Sequence, residues 1–355
     1  MHPKYKTLAV AVALAAISSS SFADESDSFC QLTQAQAEVQ KQLLGSAQMF
    51  ATTGNPATGN SSTITVGFSK SLSKQLQART TGELADATCD AYRADRKLAE
   101  QAQNVEQRGN LHAFEAMEPV LRQALDIANA NVKKEEAMLG VHTSSLSDVK
   151  AAYDARDVVR SLLTALQQAR ARIANQLPEA DVPLGGLVHE AIAAHAAVAS
   201  ETSELAAQSA WDVSIAAGAQ TDPRSGGATK PFIGLTVSYS FGAGAANRAA
   251  KSVGGLAEKY QSEQRDGPVQ QFLRAKETAH GLITAEEGIL QGLYERKALA
   301  DNTVERLKGI QSDDAQRAMR QATLEQMGTQ AQITGSEARL DYLRSWIARN
   351  ADPRG

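Results

Sequence analysis

Residues 231–250 read PFIGLTVSYSFGAGAANRAA, and the period changes halfway along. Ile233, Leu235, Val237, Tyr239 and Phe241 are apolar and alternate with Gly234, Thr236, Ser238 and Ser240. Such alternation puts the two sets on opposite faces of a β-strand, one greasy and one wetted. After the glycines an Ala-rich, charge-decorated helical pattern begins and runs on. A strand of this quality inside a chain that otherwise reads as helix decides the fold, because its apolar face needs a cover that helices of this composition do not supply.

The stretch has an earlier counterpart. ITVGFS at 64–69 matches LTVSYS at 235–240, an offset of 171 residues. GELA at 82–85 matches GGLA at 254–257 at an offset of 172, and MLGVHTS at 138–144 matches LKGIQS at 307–312, with Gly140 against Gly309 and Val141 against Ile310. Ordered matches at a nearly constant offset mark an internal duplication. The chain divides into a leader at 1–23 and two structural repeats, 24–200 and 201–355. Each repeat reads hairpin, long helix, tight turn and long helix back.

In the first repeat a weak strand covers 46–53, and a clean one, 61–69, alternates through Ile64, Val66 and Phe68. In the second, 211–220 alternates through Trp211, Val213 and Ile215, with 232–241 as its partner. The intervening runs GNPATGNSS and TDPRSGGATK are turn chemistry. Helix is predicted from Ser71 to Leu139 with a kink at Pro119, then over 147–177 with near-heptad spacing of Val159, Leu162, Leu166, Ala169, Ile173 and Leu177. A third helical piece spans about 187–209 after Pro178 and Pro183, and the second repeat breaks at RDGP (265–268) and turns near Gly309. The fold class is mainly α with short β-strands: long antiparallel coiled-coil hairpins joined to β-hairpins.

Lys4 and Lys6 precede an apolar run at 8–17, and small residues at Ser21 and Ala23 follow it. This is a secretory signal with cleavage expected after Ala23, and it is too short to span a membrane. Export to a bacterial periplasm or outer membrane follows. Removing the leader with its two lysines takes the net charge from −4 to −6, which argues against nucleic acid as a partner. Aromatic content is 5% and alanine is abundant, a composition for long, closely packed helices rather than one compact core. Catalytic and cofactor constellations fail. HEAIAAH (189–195) spaces its histidines six apart, off a shared helical face, and GAGAAN (242–247) lacks the third glycine of a dinucleotide loop. No cofactor, metal site or enzyme activity is expected.

Four strands cannot close a bilayer-spanning barrel, and open edges are not tolerated in lipid. Three chains would supply 12 strands, a homotrimer whose apolar strand faces (Ile64, Val66, Phe68; Trp211, Val213, Ile215; Ile233, Leu235, Val237, Tyr239, Phe241) meet outer-membrane lipid. The alternative is that the hairpins form a small soluble sheet capping a coiled coil; the duplication, the export signal and the long helices favour the barrel. The Ser, Thr and Gly faces would line water.

The junctions ITVGFSKSLSKQLQA and LTVSYSFGAGAANRAA, the turn GVHTSSLSDVKAAYDA with Gly140, Asp148, Val149 and Ala152, and the closing EARLDYLRSWIA with Tyr342 and Leu343 resemble the outer membrane efflux (TolC-like) channel family. The resemblance covers most of the mature chain. It implies a trimeric exit duct of a tripartite efflux or type I secretion system: a barrel in the outer membrane, a helical tube in the periplasm, and tips that dock a periplasmic adaptor joined to an inner-membrane pump. The duct itself would do no chemistry. The first helix, about 28–45, is short for that family. The rival reading is an exported periplasmic or surface coiled-coil scaffold or adhesin without channel activity.

Adaptor contact is expected at 139–147 and 308–314, that is at Gly140, Val141, Gly309 and Ile310. Asp313 and Asp314 are read either as an entrance constriction, six carboxylates per trimer, or as an ordinary solvated acidic helix start. Cys30 and Cys89 hang at similar depths from the same hairpin on adjacent antiparallel rods, so a disulfide is predicted between them.

Overall fold

The computed structural model describes residues 22–55, 60–178, 180–223 and 227–352. Nearly all of the leader (1–21) and the centres of both hairpin turns (56–59 and 224–226) lie outside the described residues. The elements run α1 (Phe22–Gly45), β1 (Gln48–Asn55), β2 (Asn60–Ser71), α2 (Leu72–Gln103), α3 (Val105–Gly140), α4 (Leu146–Gln176), α5 (Leu184–Gln208), β3 (Trp211–Thr221), β4 (Thr229–Tyr239), α6 (Ala243–Glu263), α7 (Pro268–Lys308) and α8 (Asp313–Arg349). Helix, hairpin and long helices appear once from α1 and again from α5.

Three tiers stack along the molecule. The top is one antiparallel sheet in the order β1-β2-β3-β4. Below it the helices touch in the order α1, α2, α5, α6, and below those in the order α4, α3, α8, α7. Each tier is therefore a single layer in which, among the described residues, each edge element has one main neighbour. At about 1.5 Å per residue the 41 residues of α7 reach roughly 60 Å.

The largest apolar core lies at the waist between the helical tiers. Leu98, Val105, Leu184, Val188, Phe272, Leu343 and Trp346 are buried together there. The helix breaks converge on the same level: Asn104 between α2 and α3, the Pro178–Pro183 connection, and the α6–α7 break at Gln264–Gly267. Freed backbone groups are satisfied locally. Arg108 donates to the carbonyls of Pro178 (2.7 Å) and Ala180 (2.8 Å), and the Leu184 amide donates to Asn350 Oδ1 (2.7 Å).

Two expectations change. The long first helix is not continuous but breaks at Asn104, and Pro119 lies within α3. Turning the chain at the waist brings Val105 into the core, whereas Pro119 forgoes one ladder bond that a long helix absorbs. The near-heptad stripe of α4 is only half used: Val159 and Leu166 are buried against α3, but Leu162 and the neighbouring Val158 are exposed. α4 is an edge helix, so part of its apolar surface has no cover in one chain.

Candidate functional sites at the sheet and at the helix tips

Cross-strand register defines the two sheet faces. Met49, Phe68, Ala217 and Ile233 form one row across all four strands, and Ala51, Val66, Ala219 and Pro231 form the next. Further rows add Ile64, Ile215 with Leu235, Val213 with Val237, and Trp211 with Tyr239. One continuous apolar face results, and it is bare: Ile233 is 86% exposed, Leu235 67% and Val237 63%. A soluble monomer rarely shows so large a contiguous patch. Trp211 and Tyr239 pair at the end nearest the helices. Phe241, which the alternation predicts on this face, lies beyond the end of the strand and is fully exposed. β4 ends at Tyr239, the last ladder bond joins Ser240 N to Ala210 O (2.9 Å), and the glycines after Phe241 turn the chain into α6.

The opposite face carries Gln48, Thr52, Thr65, Ser69, Ser214, Gln220, Lys230, Thr236 and Ser238. Gly67 and Gly218 are paired on it. A Cβ on Gly67 would stand 2.5 Å from the Ala217 carbonyl oxygen, and one on Gly218 would stand 2.7 Å from Gly67 Cα. Side chains of a flat sheet stand clear of the neighbouring backbone. β2 and β3 thus approach so closely at this pair that only glycine fits, a use of strand glycines found at close backbone approaches and barrel corners. Where the sheet meets the helices, Ser71 and Ser73 both donate to Asp212, and Ser71 also caps α2. The outer edges of β1 and β4 pair with no strand among the described residues.

At the far end the two helical turns lie side by side. Gly140 ends α3, with Val141 as its cap, and Gly309 caps α7, followed by Ile310. Val141 and Ile310 are exposed, and a Cβ on either glycine would meet nothing within 4 Å. The left-handed residue of the first turn is His142 (φ 62°), so the strain sits there and not at Gly140. Ser145 caps α4 reciprocally with Asp148. The Ser145 hydroxyl and amide, with Arg317 nearby, hold the Asp148 carboxyl below the usual carboxylate range. Asp313 and Asp314 open α8, where the helix dipole favours acids, while the cap itself is Ser312. Asp314 is exposed and pairs with Arg317 at 3.0 Å.

A clamp ties the two tips together. The buried Glu135 of α3 accepts from Ser144 (2.7 Å), from Arg317 Nε (3.4 Å) and from Arg320 of α8. Arg317 also donates to the Thr143 carbonyl (3.0 Å) and lies 3.6 Å from Asp148. At the middle of α2, Cys89 is joined to Cys30 of α1 by a disulfide with Cα atoms 5.1 Å apart, and Phe29 stacks on Tyr92 beside them.

The chain is similar to outer-membrane channels. CusC, described in terms of transmembrane channel formation, matches at 13% identity over 92% of this chain and 88% of its own, with a TM-score of 0.47. The outer-membrane channel OprN matches at 15% identity over 90% and 86%, TM-score 0.45. The MtrE outer membrane channel of Neisseria gonorrhoeae in its open state matches at 14% identity over 94% and 87%, TM-score 0.43. No family model and no curated protein matches the chain.

Sequence reasoning missed Glu135, Arg317 and Arg320. The signal present was an Arg pair three residues apart in the first turns of α8, on one helical face, level with the other turn. It also missed Phe50 and Phe232, which belong to the polar face of strands whose apolar face drew the eye.

Proposed function

We propose that the chain is a TolC-like outer-membrane channel, a passive duct built from three copies. One observation carries this reading: a four-stranded sheet whose two edges pair with no strand among the described residues, with a bare apolar face on one side and a polar face on the other. In lipid such a sheet must close, and four strands reach closure only with other copies of themselves. The strands suit the task, since β2, β3 and β4 have 12, 11 and 11 residues against the roughly 9–11 that a tilted membrane strand needs. Trp211 and Tyr239, at the helix end of the apolar face, match the aromatic girdle at a membrane boundary. The edge helices support the same closure. α1 exposes Leu32, Val39 and Leu43, α6 exposes Leu256 and Tyr260, and α4 and α7 expose Leu162 and Ile289.

The two repeats, 24–200 and 201–355, each supply one hairpin to the barrel and helices to a periplasmic tube. No described helix is long and apolar enough to cross a membrane. The tips around Gly140, Val141, Gly309 and Ile310 dock a periplasmic adaptor, which couples the duct to an inner-membrane pump. What supports this is that neither glycine is demanded by its own backbone or neighbours, while an apolar residue stands exposed beside each. Asp313 and Asp314, at the same end, contribute negative charge to the entrance.

The test is fractionation and cross-linking of the mature protein expressed in a Gram-negative host. The proposal expects a detergent-extracted outer-membrane trimer. A soluble periplasmic monomer or dimer would overturn it in favour of an exported coiled-coil scaffold.

A further inference from the structure

On the polar face of the sheet one row departs from its neighbours. Phe50, Gly67, Gly218 and Phe232 lie in register across all four strands. The row toward the helices is Gln48, Ser69, Ala216 and Gly234, and the row away from them is Thr52, Thr65, Gln220 and Lys230. Two phenyl groups thus stand between levels that carry no other large apolar side chain. The outer strands of the row are three spacings apart, about 14 Å in a flat sheet. Their ring centroids are nevertheless only 6.2 Å apart, at an interplanar angle of 66°. The rings lean inward over the two glycines, and a Cβ on Gly218 would come within 2.8 Å of the Phe232 ring. The glycines clear the space that the rings occupy. On the apolar face the same level falls between the Phe68 and Val66 rows, the middle of the exposed band.

We infer that Phe50 and Phe232 form an aromatic constriction at mid-height of the lumen, which determines what the duct passes. The inference rests on the barrel reading above. With β4 of one copy continuing into β1 of the next, three copies bring six rings to one level. An apolar collar in a polar pore sheds water and hinders hydrated ions, whereas flat aromatic solutes, cationic ones above all, gain stacking and cation–π contact with the rings. The collar therefore favours aromatic or amphiphilic cargo over small inorganic ions.

A structural role has to be separated from this one, because rings laid over strand glycines also shield the backbone. Planar-bilayer recording of the purified trimer separates them. Single-channel conductance is read in potassium chloride, with ethidium as a flat aromatic blocker and tetramethylammonium as a non-aromatic cation of the same charge. Phe50→Ala with Phe232→Ala should raise unit conductance at least twofold and weaken ethidium block at least tenfold. The response to tetramethylammonium should not change beyond the rise in conductance. Phe232→Leu, which keeps bulk but loses the ring, should weaken ethidium block while conductance stays near wild type. Pores of unchanged conductance and unchanged ethidium block in both variants would overturn the constriction and leave the channel intact. Inserted wild-type trimers that conduct nothing would remove the channel reading itself, and the constriction with it.

Discussion

Replacing Glu135 by Gln keeps the shape of the tip clamp and removes its charge. The Glu135 side chain is 3% exposed, and the two guanidinium groups it holds, Arg317 and Arg320, are 20% and 13% exposed. Breaking a buried ion pair from one side costs about 3–5 kcal/mol, because the remaining charge stays desolvated. Arg317 is cushioned by Asp314, Asp148 and the Thr143 carbonyl. Arg320 has no second carboxylate within ion-pair distance among the described residues. Burial already works against its charged form. Partial access to water lowers the cost to about 2–3 kcal/mol, which is roughly a 30- to 150-fold rise in local opening. Hydrogen exchange should accelerate by that factor at the tip amides, 138–146 and 313–320, and remain unchanged at the waist around Leu98 and Trp346. Asp314→Asn is the control: it removes an exposed ion pair, worth less than about 1 kcal/mol. Equal protection in Glu135→Gln and wild type, or equal loss in the two variants, would refute the clamp.

Three further outcomes are expected. Phe68→Lys or Ile233→Lys should cost about 2–4 kcal/mol at the bilayer midplane and reduce the amount of outer-membrane trimer, whereas Ser69→Lys on the polar face should not; immunoblots of unheated membranes measure this, and equal abundance would count against lipid on that face. Reduction of Cys30–Cys89 removes a cross-link spanning 59 residues, worth about 4 kcal/mol on chain-entropy grounds, and because α1 packs chiefly on α2 among the described elements it should become the first site of proteolysis. Glu118 has its carboxyl lowered from 4.5 to about 2 by hydrogen bonds from Gln167 and Arg122, with Arg170 adding to them. A lowered carboxylate stabilises above its unfolded value, so this contribution is complete above pH 4.5 and fades as the pH falls toward 2. With Arg122 and Arg170 largely in water it amounts to about 1–2 kcal/mol, and the stability gap between wild type and Glu118→Gln should shrink over that range in urea titrations.

The hairpins, the duplication and the long helices were legible because period and order are local properties. Alternation from Ile233 to Tyr239 names a two-faced strand without any partner, and two copies of it 171 residues apart name the repeat. The cysteine pairing was legible for a related reason: two rods hung from one hairpin carry equal numbers of residues to equal depth. Phe241 shows the limit, since the same alternation continues into residues whose backbone has already turned. What only the tertiary structure decided depends on residues distant in the chain. Glu135 meets Arg320 across 185 residues, and nothing in the surroundings of either marks the other. That Gly67 and Gly218 fall opposite one another is likewise a matter of register between strands of different repeats. Periodicity states that a strand has two faces; only pairing states which residues of the other strands share each face.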